Sequence, residues 1–144
     1  MWVDALLLLS DAQAITADAV STNTIDLGGT NKMIGDGEPL AVQFTIDVGA
    51  DFTTGDETYI FQIIQSAAAN LSSPDVLATR TVSAASLGLA AGVKTSVGMP
   101  MGTPTKRYIG ANYDVGGTTP TITVTAFLGP AKFVERMAYY PGVF

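Results

Sequence analysis

The chain has 144 residues, with 7 basic and 13 acidic side chains and a net charge of −6. This length suits a single domain, residues 1–144, with a core of its own. There is no cysteine, which excludes disulfides, and no histidine, which removes the usual general base and the commonest metal ligand. The lack of histidine and cysteine argues against an enzyme. The excess of acidic over basic residues argues against a nucleic-acid partner, because phosphate binding needs clustered Lys and Arg.

Charged residues make up only 14% of the chain, and its mean hydropathy is +0.33. An ordinary soluble domain carries about 25% charged residues. No apolar run approaches the roughly 20 residues that cross a bilayer, so we predict no membrane partner. Such a chain either has an unusually large core or gives part of its surface to neighbouring proteins. We favour the second explanation, because much of the apolar excess lies at the chain ends and in one loop.

The N-terminal segment, residues 1–17, is predicted to be an arm or a short helix. Ser10 to Gln13 has the form of a capping box, which favours a helix after Ser10, and an extended arm is the alternative. One interpretation is that the leucines of this segment complete the core of their own subunit. The other is that the segment packs on a neighbour. The candidate contact residues here are Trp2, Val3, Leu6, Leu7, Leu8 and Leu9.

Period-two alternation predicts strands in the middle of the chain. Residues 20–27 form a weak candidate, and residues 39–48 form a clear one, with Leu40, Val42, Phe44, Ile46 and Val48 facing inward and Ala41, Gln43, Thr45 and Asp47 facing outward. Residues 58–65 are apolar on both faces, which is typical of a central strand or of one at a contact surface. Residues 76–82 follow as a further strand.

Four carboxylates fall in or beside the loop at residues 49–57, namely Asp47, Asp51, Asp56 and Glu57. Acidic loops between strands can bind calcium through six to eight oxygen ligands, but this spacing matches no EF-hand loop. Solvated loop ends are the commoner reason for such a cluster. We predict no catalytic, cofactor-binding or metal-binding residue, with calcium binding here as the alternative.

Residues 83–105 are long for a connection and carry almost no charge. We predict an extended segment at residues 93–99 and a rigid turn at residues 100–104. Methionines beside prolines are adaptable apolar contact residues, and a surface loop folded back on the sandwich is the alternative. The candidates in this stretch are Met99, Pro100, Met101 and Pro104.

Lys106 to Leu128 shows the most regular alternation in the chain, interrupted by Gly116-Gly117. This pattern predicts an antiparallel hairpin with one face on the core. Its outward row, Tyr108 with Thr121, Thr123 and Thr125, is a candidate subunit contact. The C-terminal tail, residues 129–144, ends in aromatic and apolar side chains that are costly to leave in water, so it is a docking candidate through Tyr139, Tyr140, Val143 and Phe144.

Two stretches, WVDALLLLSDAQAIT with STNTIDLGG and LGLAAGVKTSVGMPMGTPTKRYIGANYDVGGTTPTITVTAFL, resemble the capsid cement proteins of tailed phages, also called decoration or head-stabilising proteins. The likeness runs from Trp2 to Leu128. It implies an all-β fold, a single-domain, jelly-roll-like antiparallel β-sandwich with extended N- and C-terminal segments. It also implies a homo-oligomer, a dimer or a trimer, on the outer surface of an HK97-type capsid, where it clamps major capsid subunits. The family offers no catalytic residues to transfer.

A different class of function is a non-catalytic binding module, a carbohydrate- or receptor-binding β-sandwich on a virion surface. Such modules usually expose aromatic platforms. Here the only Trp is Trp2, and the tyrosines between Tyr108 and Tyr113 alternate between the two faces of one predicted strand. This pattern argues mildly against a sugar-binding surface.

Overall fold

Two antiparallel sheets pack face to face in a computed structural model that describes residues 4–34, 36–50, 54–83 and 91–132. The strands are β1 (Leu8–Ile15), β2 (Ala19–Val20), β3 (Ile25–Asp26), β4 (Leu40–Val48), β5 (Thr58–Ser66), β6 (Asp75–Ser83), β7 (Lys94–Gly98), β8 (Tyr108–Gly116) and β9 (Ile122–Pro130). The all-β sandwich predicted from the sequence is therefore confirmed.

The first sheet has the strand order β1-β9-β4-β7, and the second has the order β2-β8-β5-β6 with β3 also paired to β8. Consecutive strands repeatedly cross from one sheet to the other. With β2 and β3 together in the place of one strand, this is the order of a jelly roll, an eight-stranded double sheet.

The core lies between the inner faces of the two sheets, where the alternating apolar residues of β4, β5, β8 and β9 meet. Three fully buried aromatic rings occupy its middle. Phe44 stacks on Phe61 with ring centroids 5.0 Å apart, and Tyr113 meets both rings edge-on at 5.9 and 6.0 Å. The buried Tyr113 hydroxyl is satisfied by the Ser10 hydroxyl at 2.8 Å. The first residues of β1 thus belong to the same core as the most regular strand.

The predicted hairpin is wrong, although both of its strands exist. β8 lies in the second sheet and β9 in the first, so residues 117–121 form an arch between sheets. Thr118 N and Oγ1 donate to the carboxylate of Asp56, and Thr121 N donates to the Tyr59 hydroxyl. These bonds tie the arch to the segment around the start of β5.

From Asp4 onward, where the structure describes it, the N-terminal segment does not form the helix predicted after Ser10. Residues Leu8–Ile15 form β1, which pairs with β9, and a single 3₁₀ turn, Ala5–Leu7, precedes it. Asp4 Oδ1 caps this turn by accepting from Leu6 N at 2.9 Å. Ser10 and Gln13 do bond to each other, but side chain to side chain at 2.7 Å within an irregular strand. The capping-box spacing therefore reflects a bulged strand.

The other strand predictions are confirmed in position. Residues 58–65 lie in β5, a central strand paired on both sides, while 76–82 and 93–99 correspond to β6 and β7. The weak strand at 20–27 is split into β2 and β3. The predicted tail begins later than expected, because Pro130 still pairs with Leu40 as part of β9.

Within β4 the alternation holds up to Ile46 and fails at Val48, which was predicted to face inward and is 58% exposed. A register shift between Ile46 and Val48 in the pairing with β9 explains the error. Ala41 and Gln43, on the outward row, are nevertheless buried. Ala41 packs with Phe127 in a second, smaller apolar cluster.

A candidate docking surface at one end of the sandwich

The sandwich has two chemically different ends. Strands β1, β4, β6 and β8 begin at one end, and strands β5, β7 and β9 finish there. The loops at this end are residues 27–39, 67–74 and 99–107. We call this the apolar end, and it includes residues 4–7 and 131–132, where the described chain starts and stops. The opposite end carries the arch 117–121 and is called the arch end. Both ends of the described chain therefore meet at the apolar end.

Large apolar side chains are exposed mainly at the apolar end. Leu6 and Met101 are each 81% exposed, Val76 is 50% exposed and Met33 is 37% exposed. Among the described residues, the fifth large apolar side chain in this class is Val48, at the arch end. Apolar side chains gathered in one region are typical of an interaction surface, whereas single scattered ones are ordinary.

Backbone hydrogen bonds hold the two methionine loops together. Met33 N donates to Pro104 O at 3.2 Å, and Asn31 N donates to Thr105 O at 2.8 Å. From the other side, Gly102 N donates to Asp36 Oδ1 at 2.6 Å. The two loops are thus fixed to each other. Because their backbones are already ordered, docking through Met33 and Met101 would cost little further backbone entropy.

Among the described residues, six of the nine charged side chains at the apolar end form ion pairs with one another. The three ion pairs are Arg107 Nε–Asp26 Oδ1 at 2.7 Å, Lys106 Nζ–Asp75 Oδ2 at 2.8 Å and Lys132 Nζ–Glu38 Oε1 at 3.4 Å. Exposed apolar side chains and paired charges at the same end suit a protein–protein interface, which usually has an apolar core and a polar rim.

Hydrogen bonding lowers the pKa of two carboxylates that take part in these ion pairs. The Arg107 guanidinium, followed by Gly28 N, lowers the pKa of Asp26 to about 2. The hydrogen bond from Lys106 lowers the pKa of Asp75. Both groups are therefore negative at neutral pH and already matched by a cation, so docking need not supply one.

The net charge is unevenly distributed over the described residues. At the apolar end, four basic residues (Lys32, Lys106, Arg107, Lys132) against five acidic ones (Asp4, Asp26, Asp36, Glu38, Asp75) leave a charge of −1. In the remainder of the described chain, two basic residues (Arg80, Lys94) against six acidic ones (Asp11, Asp18, Asp47, Asp56, Glu57, Asp114) leave −4. The apolar end is nearly neutral, and the acidic field belongs to the rest of the domain.

The structure brings several predicted contact residues together at this end and removes others. Leu6 and Met101 are exposed, and Leu7, Leu8, Pro100 and Tyr108 are half-buried. Leu9 and Met99 belong to the core, and Pro104 is also buried, so we remove these three from the contact set. Trp2, Val3, Tyr139, Tyr140, Val143 and Phe144 lie outside the described residues.

Two of the outward-facing candidates on β8 and β9 are occupied within the domain. The Arg107 guanidinium lies 5.2 Å from the centre of the Tyr108 ring, and the Thr125 hydroxyl donates to Asp47 Oδ2 at 2.5 Å. Thr125 Oγ1 also accepts from Ala12 N at 3.0 Å. The threonine row is therefore a weaker contact candidate than the apolar end.

A family model described as Bbp16 matches residues 9–128, which is 120 of the 144 residues. The chain belongs to the Bbp16 family. The matched span runs from β1 into β9 and so covers the sandwich of this Bbp16 protein. No curated protein matches the chain.

Met33 and Val76 were missed from the sequence of this Bbp16 chain. Met33 and its neighbour Ile34 lie among Gly, Asn, Lys and Asp residues, and apolar residues in such a turn-rich stretch were a usable signal. Val76 gave none, because its exposure depends on β6 being at the edge of its sheet and on the register shift beside it in the pairing with β5.

Two absences bear on other classes of site. In residues 4–34, 36–50, 54–83 and 91–132, no helix is long and apolar enough to cross a membrane. Across the same residues, no group of three or more acidic side chains is arranged to hold a metal ion. A surface depression at the apolar end is lined by Glu38, Pro39, Ala131 and Lys132, of which Glu38 and Lys132 form an ion pair.

Proposed function

We propose that this protein is a structural virion protein, a capsid cement or decoration protein of a tailed phage. It binds the outer surface of an HK97-type head and stabilises the expanded shell by bridging major capsid subunits. Its partners are the major capsid protein and copies of itself, as a dimer or trimer. The proposal involves no catalysis, cofactor or nucleic acid.

The observation that carries the proposal is the concentration of exposed apolar side chains at one end. Leu6, Met33, Val76 and Met101 share that end with the three ion pairs. Burying this surface against a shell adds binding free energy to the state that is bound, which is all that a stabilising clamp requires. Many copies on one shell would add avidity to modest single contacts.

The distribution of charge supports the same orientation. The apolar end is nearly neutral and faces the shell, while the rest of the domain, at −4, faces away from it. An acidic outer face keeps copies soluble and apart before they bind. The sequence likeness to cement proteins, from Trp2 to Leu128, supports the same function.

The binding-module alternative predicts an exposed aromatic platform. Among the described residues, the exposed large apolar side chains are leucine, valine and methionine. Tyr108 is half-buried and covered by Arg107. We therefore retain this alternative only as an outcome of the test, in which glycan binding without capsid binding would favour it.

The test is co-sedimentation of the purified protein with expanded, empty heads of its own virus. Full burial of a Leu or Met side chain contributes roughly 1.5–3 kcal/mol. Since Leu6 and Met101 are each 81% exposed, Leu6→Ser or Met101→Ser should each cost about 1–2.5 kcal/mol, or roughly 5- to 60-fold in affinity. Point substitutions are preferable to removing residues 1–9, because Leu9 is part of the core.

Val48→Ser is the matched control, because Val48 is an exposed apolar residue at the arch end. It should bind heads like the parent protein. If all three variants bound equally well, docking through the apolar end would be refuted. If the parent protein failed to bind expanded heads at all, the cement function itself would be refuted.

A further inference from the structure

Glu57, at the arch end, is an anomalous buried acid. It directly precedes β5 and is 3% exposed. Its Oε1 accepts from Thr54 Oγ1 at 2.9 Å, but its Oε2 is buried without any hydrogen-bond partner. None of the ion pairs formed by the described residues involves Glu57. A buried carboxylate in this condition is unfavourable unless something positive or protic completes it.

The oxygen atoms around the Thr54 hydroxyl outnumber the hydrogens available to them. Thr54 Oγ1 lies 2.7 Å from Asp56 Oδ1, 2.9 Å from Glu57 Oε1 and 3.3 Å from Thr118 O. A hydroxyl has one hydrogen and can donate to one of these acceptors at a time. Thr118 N and Oγ1 supply further donors to Asp56, whereas Glu57 accepts from the Thr54 hydroxyl alone, so the Glu57 carboxylate remains short of partners.

We propose that this cluster binds a calcium ion. Calcium accepts six to eight oxygen ligands of mixed type in irregular geometry, whereas magnesium demands a near-ideal octahedron. The protein ligands would be the Glu57 carboxylate, Asp56 Oδ1, Thr54 Oγ1 and Thr118 O, with water completing the shell. The bare Oε2 of Glu57 is the observation that points to a ligand, because a cation supplies the missing partner.

The site is narrower than the acidic cluster considered from the sequence. Asp47 is engaged by the Thr125 hydroxyl on the outer face of the first sheet, and Asp51 lies outside the described residues. A cation bound by Thr54, Glu57 and Thr118 would fasten the arch between β8 and β9 to the segment that enters β5. The site thus stabilises the sandwich, and it is independent of the proposed docking function.

The experiment compares thermal unfolding of the full chain in chelator, in calcium and in magnesium at matched ionic strength. With free calcium about 100-fold above Kd, the melting temperature should rise by about 5–10 °C, and magnesium should give a much smaller rise. Terbium luminescence excited through tyrosine, and competed away by calcium, reports binding without reference to stability.

Glu57→Gln keeps the shape of the side chain and removes its charge. We expect it to lose the calcium response and the terbium signal, and to be at least as stable as the parent in chelator, since no unpaired buried charge remains. Asp11→Asn, which removes one exposed charge from β1, should keep the full response. The proposal is overturned if calcium and magnesium shift the parent equally, or if Glu57→Gln responds like the parent.

Discussion

Replacing Gly117 with alanine tests the arch that joins the two sheets. Gly117 has φ of +92°, a left-handed conformation that side-chain-bearing residues rarely adopt. A Cβ there would lie 2.5 Å from Asp56 O and 2.7 Å from Glu57 Cα. Both of these atoms belong to the chain backbone, so they cannot move aside as a flexible side chain could.

The magnitude follows from two separate costs. A left-handed conformation costs a residue with a Cβ about 1–2 kcal/mol. Overpacking against a close-packed neighbour adds about 1–3 kcal/mol. Gly117→Ala should therefore lower the free energy of unfolding by about 2–5 kcal/mol, a large part of the roughly 5–15 kcal/mol typical of a domain.

Urea denaturation, followed by tyrosine and tryptophan fluorescence in the presence of chelator, measures this loss. Gly102→Ala is the matched control, because Gly102 has φ of +75° but nothing within 4 Å of the Cβ position. It carries the conformational cost alone and should lose about 1–2 kcal/mol. Equal losses in the two variants would refute the contact between the arch and residues 56–57.

Two further predictions concern the second sheet and its rim. Leu71 is buried on the outer face of that sheet over Gly110, where an added Cβ would collide with it, so Leu71→Ala should cost about 2–4 kcal/mol in urea denaturation. Gly110→Ala should also destabilise, and the double variant should lose less than the sum of the two; strict additivity would contradict the contact. Because the pKa of Asp26 falls from 3.8 to about 2 through its bonds to Arg107, the stability it contributes is complete above about pH 4 and is lost as the pH falls towards 2. Asp26→Asn should therefore show a shallower loss of stability over that range, and identical acid profiles would argue against the ion pair.

The sequence was sufficient to locate most strands but not their partners. Alternation placed β4, β5, β6, β8 and β9 within a few residues, because side-chain period is a local property of an extended chain. It could not separate a hairpin from an arch at residues 117–121. In a hairpin, the apolar rows on either side of the turn point into the core from the same sheet. In an arch, they point into the core from two facing sheets, so the alternation in the sequence is the same.

The candidate site was predictable in its parts and not in its assembly. Leu6 and Met101 were identified as apolar residues in exposed segments, yet their neighbours Leu9 and Met99 proved to be core residues. Leu6 lies in the 3₁₀ turn before β1 and Met101 in the loop after β7, and only the packing of β1 on β9 and of β7 on β4 decides that Leu9 and Met99 are covered. Glu57 likewise resembles an ordinary loop acid in the sequence, and only the tertiary structure shows that it is buried next to the arch.

By itself, the sequence determined the all-β class, the lack of histidine and cysteine chemistry, and the shortage of charge that points to a surface shared with other proteins. The tertiary structure alone decided that Leu6, Met33, Val76 and Met101 share one end, although they are spread over nearly a hundred residues of chain. It also decided that Thr54, Glu57 and Thr118 meet at the other. The physical reason is the crossing of consecutive strands between sheets, which brings distant loops to the same end while separating neighbouring strands.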